Sequence, residues 1–298
     1  MKETKKTTIG GQALLEGILM RGPSKLSIAV RDKNGEIILK NTPFEPITKK
    51  YKILGLPIIR GAVALIEALT IGIDALMYSA EFIDDEEESE QTDSKWGNFL
   101  TILFSIAIAI VLFMIIPNLI AGVTTKYINS PIILNLIEGI IRLTIFAIYL
   151  YYISKLEEIN RTFEYHGAEH KSIHCYENYL DLTVENVKKF PIMHKRCGTS
   201  FLFMVMIISI VILSFFGWPN PFMRIITRII MFPIIAGVSY EVNRFIGKRD
   251  SKLCNILAYP GLLIQKYVTV KEPHDDQIEV AIAALKEVLP TDGEDDNW

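Results

Sequence analysis

The chain has 298 residues, 50% of them hydrophobic, with a mean hydropathy of +0.29, which is more apolar than soluble domains of this length usually are. A net charge of −3 and a pI near 6.0 leave no electrostatic footprint for nucleic acid. Three cysteines at irregular spacing make no disulfide framework and fit a reducing compartment.

Residues 1–95 read as a cytoplasmic or interfacial region. The opening MKETKKTT has no apolar core, so no cleavable signal is expected there. In GGQALLEGILMRGP (10–23) no Gly-Lys-Ser/Thr follows the glycines, which argues against a phosphate-binding loop. Gln12, Glu16 and Arg21 are expected to satisfy backbone groups in a tight turn, with Glu16 also a candidate to complete a metal site. LSIAVRDKNGEIILK (26–40) alternates and carries Asn34-Gly35, the signature of a β-hairpin. Residues 57–82 read as a helix whose charges, Arg60, Glu67, Asp74 and Glu81, recur every seven residues on one stripe. An interfacial or re-entrant helix with a solvated stripe is preferred to a further span. The acidic run Asp84–Asp93 is a linker.

Residues 96–154 hold the first two expected spans. Trp96 to Thr125 has no charge and exceeds the ~20 residues a helix needs to cross the hydrocarbon. Pro131 to Lys155 is apolar apart from Glu138 and Arg142, which at four apart share a face and are expected to pair. Residues 155–197 read as a cytoplasmic histidine-rich loop. Two further spans, 198–240, are joined by Gly217-Trp218-Pro219-Asn220-Pro221; Arg224 and Arg228 in the second are expected to snorkel or meet Glu138. In 241–298 follow an apolar stretch broken by Pro260-Gly261, an amphipathic helix from Asp275 to Leu289, and a polar tail. Lys and Arg gather before the first span, in 155–197 and after residue 240, while the region near 126 carries only Lys126. That bias favours four spans in the cell membrane with both termini cytoplasmic. The expected fold is mainly α: a polytopic helical membrane protein with a small N-terminal β-hairpin region.

Four of the five histidines, His166, His170, His174 and His194, fall within 155–197. The first three stand at i, i+4 and i+8, one helical face, and two such imidazoles can reach one metal. His166-Gly167-Ala168-Glu169-His170 is H-x-x-E-H, the inverse of the zincin pattern, in which two histidines bind zinc and the glutamate activates water. His194 and Cys197 are further candidate ligands. A third ligand could come from Glu241, or from Glu177 on the same face. The competing reading is a basic, pH-sensitive loop near lipid headgroups, with Cys197 as a small packed residue.

IGGQALLEGILMRGP, EYHGAEHKSIHCYE, HKRCGTSFLF and VKEPHDDQIEVAIAALK, in this order, resemble the YqhQ-like family of bacterial membrane proteins. The resemblance implies a predicted metal-dependent enzyme, with the motif positions His166, Glu169, His170, His174, His194 and Cys197 at its site. The leading expectation is a hydrolase at the cytoplasmic membrane face that uses a divalent metal, zinc by preference. His166 and His170 are ligands, Glu169 the general base, and a lipid or membrane protein the substrate. The alternative is a non-catalytic scaffold or assembly factor with a structural metal. A small transporter built on Glu138 and Arg142 is weaker, because no repeated halves or broken helices accompany them.

Overall fold

The computed structural model describes residues 4–82, 95–291 and 293–298; the acidic run at 84–93, expected as a linker, lies outside them. Four strands, β1 (Gly10–Leu14), β2 (Gly17–Arg21), β3 (Lys25–Arg31) and β4 (Ile37–Pro43), form an antiparallel meander. The expected hairpin is β3–β4. It turns at Asn34-Gly35 with Gly35 at φ +84°, and Asp32 Oδ1 accepts from the Asn34 and Glu36 amides at 3.0 and 2.8 Å. Residues 10–23, expected as a tight turn, are instead a second hairpin, β1–β2. Strand β2 is covered on both faces: Ile18 and Met20 pack with Tyr165, Ala168, Ile278 and Leu285, while Leu19 packs with Val30 and Ala75. A strand buried on two faces reads as an unbroken apolar run, so alternation does not reveal it.

Eight longer helices follow: α1 (Ile59–Ala80), α2 (Lys95–Ile110), α3 (Pro131–Ile153), α4 (Glu157–Glu177), α5 (Gly198–Leu213), α6 (Pro221–Lys248), α7 (Lys252–Ile264) and α8 (Asp275–Val288). Helix α2 continues through a π-turn at Val111–Ile115 into Ile116–Val123. There the Phe113 carbonyl accepts from Arg142 Nε at 2.8 Å, an outside donor for a ladder that has slipped by one residue. Among the described residues, five stretches are long and apolar enough to cross a membrane: Ile59–Ala80, Phe99–Lys126, Pro131–Ile153, Gly198–Phe216 and Pro221–Lys248. Four coincide with the expected spans, and the fifth is α1. The continuation of α2, residues 111–123, packs on α3, α5 packs on α6, and α3 meets α5. Their outer faces keep large apolar side chains exposed, among them Phe104, Ile132, Phe222 and Ile230.

Helix α1 ties the bundle to the sheet. Its second half covers one sheet face through Ile71, Ala75 and Tyr78, with Phe82 just beyond its end. Its first half crosses α6 where Gly61 faces Gly237; a Cβ on Gly61 would come within 2.9 Å of the Gly237 Cα, so only small residues permit this approach. The expected solvated stripe is half correct. Asp74 and Glu81 are exposed, but Arg60 pairs with Glu241, and buried Glu67 accepts the Ile47 amide at 2.9 Å.

The other sheet face packs on α4 and α8. The region expected as a histidine-rich loop is therefore largely a helix, with Glu157 and Glu158 in its first turn favouring the dipole and Tyr165, Ala168 and Ile173 buried. Helix α8 begins where expected, with His274 and Gln277 closing a reciprocal capping box. The tail folds back on the N-terminal segment. Thr7 bridges Asn297, the Trp298 amide donates to the Lys6 carbonyl at 2.8 Å, and buried Asp296 pairs with Lys5 at 2.6 Å.

Candidate metal centre

Helix α4 presents His166, Glu169, His170 and His174 toward the junction of sheet, α1 and the start of α5. Two backbone carbonyls decide the state of the first two rings. His166 Nδ1 is 2.9 Å from the Thr269 carbonyl, and His170 Nδ1 is 2.5 Å from the Ile192 carbonyl. A carbonyl only accepts, so each Nδ1 carries a proton, and Nε2 is the nitrogen each ring turns toward the site. His166 Nε2 lies 3.1 Å from Cys197 Sγ. His170 Nε2 is buried and meets no partner among the described residues. The ligand atoms of His166, His170 and Cys197 all lie within 4.8 Å of one another.

Gly167 makes the His166 bond possible. A Cβ there would stand 2.0 Å from the Lys271 carbonyl, so only glycine lets the chain after Thr269 run this close to α4. Burial, partly offset by Cys197, pulls His170 down to about 4, which leaves its ring neutral at ordinary pH. Cys197 caps the N-terminus of α5, with the Thr199 amide 3.4 Å from its sulfur. Glu169 is buried one residue before His170; its Oε1 accepts the Gly11 amide at 2.9 Å, and burial pushes its carboxyl up to about 7 against the pull of His166. A soft sulfur with two imidazoles, each fixed through its far nitrogen, is a donor set that suits zinc.

His174 and His194, expected beside the first pair, form a second group with Glu177, again within 4.8 Å. A guanidinium already serves this group. Arg196 pairs with Glu177 and donates to His194 Nε2 at 3.1 Å, while His174 Nε2 donates to the Met193 carbonyl at 2.9 Å. Burial, His174 and Arg196 together hold His194 well below its ordinary value. These residues buttress the converging trio and do not join it.

Glu241 is not brought to the centre. Arg60 grips it through two bonds, Nε to Oε1 at 2.6 Å and Nη2 to Oε2 at 2.5 Å, because α6 turns this position toward α1. Glu16 is likewise elsewhere, paired with Arg161 and 3.2 Å from the Tyr165 hydroxyl.

A cavity of about 290 Å³ opens onto the trio. Ala64, Leu65, Ala68 and Ile71 of α1 form its apolar wall with Phe201; Gln12, Arg21, Asn243 and Trp298 add polar groups. Gly11, Gln12 and Trp298 were not legible as site residues. The first two lie in a hairpin the pattern hides, and the third closes a tail whose acidic composition reads as solvated.

Residues 56–291 match the family described as Protein of unknown function (DUF1385). The chain belongs to this family. It is 34% identical over 292 residues to Uncharacterized protein YqhQ of Bacillus subtilis (strain 168), covering 94% of this chain and 92% of that one. The expected YqhQ-like kinship therefore holds. No solved structure matches. The DUF1385 match includes His166, Glu169, His170 and Cys197, but the sheet and Trp298 lie beyond it.

Proposed function

We propose that this DUF1385 member is a metal-dependent membrane hydrolase in which His166, His170 and Cys197 hold a divalent metal, zinc by preference. One observation carries the reading. Two imidazoles, each with Nδ1 committed to a backbone carbonyl, turn Nε2 toward one cysteine sulfur, beside a cavity that contains a carboxylate. A metal bound there supplies Lewis-acid polarisation of the scissile group and activates water. The chain's own residues do the rest. Glu169, anchored through Oε1 by Gly11, uses its second oxygen to take a proton from the attacking water and return it to the leaving group. Arg21 offers positive charge to the anion that develops. The α1 wall and Phe201 keep bulk water away. A structural centre closes with four protein ligands, whereas three converge here among the described residues, which favours catalysis over the scaffold reading.

The topology supports a membrane-borne substrate. The sheet and α4 share one body, so the chain between them crosses the bilayer an even number of times. Helices α2 and α3 pair, which leaves α1 interfacial or re-entrant and makes four spans. Residues 124–130 and 214–220, at the far ends of the bundle, carry Lys126 alone, so the positive-inside bias favours a cytoplasmic body with both termini, in the cell membrane. Helix α1 then separates cavity from lipid: Ala64 and Ala68 line one, while Ile66, Leu69 and Leu76 stay exposed to the other. A lipid or membrane-protein segment reaches the centre past this helix.

Elemental analysis of the purified protein is expected to find about one equivalent of zinc or a similar metal, lost in His166→Ala/His170→Ala. Unchanged metal content in that variant sinks the reading.

A further inference from the structure

A second buried polar cluster lies at the opposite end of the bundle. Segments 96–153 and 198–240 contain four basic residues, Lys126, Arg142, Arg224 and Arg228, against one acid, Glu138. Glu138 is 1% exposed and serves two guanidiniums: it accepts from Arg142 Nη2 at 2.6 Å and from Arg228 Nε at 2.9 Å. Arg142 spends other donors on the Phe113 carbonyl and, at 3.4 Å, on Ser209 Oγ; Arg228 Nη1 donates to the Arg224 carbonyl at 2.9 Å. One carboxylate against two guanidiniums already leaves a surplus positive charge. Arg224 adds another.

Arg224 is 3% exposed. Its guanidinium lies 3.9 Å from the Trp218 ring centroid, and Nη2 donates to Asn118 Oδ1 at 2.9 Å. Nε and Nη1 are buried and meet no acceptor among the described residues. Arg224 and Arg228 help to line a small cavity of about 10 Å³, enough for one oxygen-sized group, whose other walls include Asn135, Thr227, Leu213 and Phe216. Buried N–H donors without acceptors and a buried charge without a counter-charge are each strongly unfavourable. An anionic oxygen from outside the chain removes both costs at once, and guanidinium groups favour oxyanions such as phosphate.

The surroundings indicate the source. Tyr127, Phe215 and Phe222 stand exposed around this end, with Trp218 against Arg224. Such an aromatic girdle marks the depth of the lipid headgroups. We propose that Arg224, supported by Asn118 and Arg228, seats the phosphate of a phospholipid headgroup at the bundle end remote from the histidine centre. This site is independent of the hydrolase reading.

The test uses full-length protein, delipidated in mild detergent, and follows its thermal unfolding after addition of phosphatidylglycerol, a phosphate-free diacylglycerol glycolipid, or inorganic phosphate. Phosphatidylglycerol is expected to raise the midpoint by about 3 °C or more in the wild type and not in Arg224→Gln, with no rise from the glycolipid. An equal rise from inorganic phosphate alone supports the oxyanion seat and overturns the lipid as its source. Equal rises from glycolipid and phosphatidylglycerol, or an undiminished rise in Arg224→Gln, overturn the seat itself. Should Arg224→Gln not fold, Asn118→Ala keeps every charge and removes the hydrogen bond that positions Arg224. Native mass spectra must then show less retained phospholipid than in wild type, and unchanged retention overturns the proposal. Metal content, read at the other end of the molecule, stays constant if the variants are folded.

Discussion

The two buried clusters of this molecule are opposites. In the sheet body, His166, His170 and Cys197 bring lone pairs together, and the unpartnered atom is an acceptor, His170 Nε2. In the bundle, Arg142, Arg224 and Arg228 bring N–H groups together, and the unpartnered atoms are donors, on Arg224 and on Asn118 Nδ2. The first calls for a cation and the second for an anion. Burial raises the cost of leaving either demand unmet. An unpartnered buried atom thus reads as a statement about its missing complement.

The comparison can be broken at either end. Glu169→Gln is expected to lower hydrolytic turnover by about 10²–10⁴-fold while metal content stays at the wild-type value; loss of metal would make Glu169 a ligand or a structural support. Glu138→Gln leaves Arg142 and Arg228 buried beside a neutral amide, and chemical unfolding in detergent should register a loss of about 3–5 kcal/mol. A loss below 1 kcal/mol (roughly the scale of an exposed pair) would mean the cluster is wetter than its burial implies. Glu241→Gln cuts only the half-exposed tie to Arg60, so a cost of about 1 kcal/mol and no change in metal affinity are expected. Weakened metal binding would restore Glu241 as a ligand.

The smallest effect contrasts surface with depth. Hydrogen bonds from Lys195 and Lys6 pull Asp250 down to about 2 from its ordinary 3.8. A carboxyl whose folded value is depressed stabilises fully above its unfolded value, and the contribution fades as pH falls from about 4 through about 2. Asp250 is 62% exposed, so solvent screening keeps the loss under about 1 kcal/mol. Comparing wild type with Asp250→Asn across that window measures it, and a larger gap would point to a buried role for the pair.

Much of this architecture was legible in the sequence, for physical reasons that differ by element. Four of the five membrane-length helices were legible because a long apolar run, with few or no charges, is nearly sufficient for such a helix. The histidine face was legible because 166, 170 and 174 keep helical spacing wherever the helix lies. The β3–β4 hairpin announced itself through Asn34-Gly35. What failed were inferences that need a third dimension. Strand β2 hid because both its faces are covered. Glu241 looked available because nothing local tells that Arg60, 181 residues away, holds it. Arg196 looked like surface charge, yet it fills the second histidine group and lies 5.4 Å from the Trp298 ring. Helix α1 has the length of a span and a role that only its packing against Leu14, Leu19 and Val30 gives it.

The π-turn in α2 has a consequence for reading that helix at all. One additional residue in a turn rotates everything downstream by about 100° relative to an unbroken spiral. A single helical wheel drawn over 95–123 therefore does not hold one phase along its length. Before the turn the helix is exposed nearly all round; after it, Pro117, Asn118 and Ala121 are buried. The phase shift is what aims Asn118 at Arg224. Removing one residue from Val111–Ile115 would restore the regular spiral and swing that amide toward the lipid. The helix thus behaves as two rods set at different azimuths, with Arg142 as the latch that keeps them so.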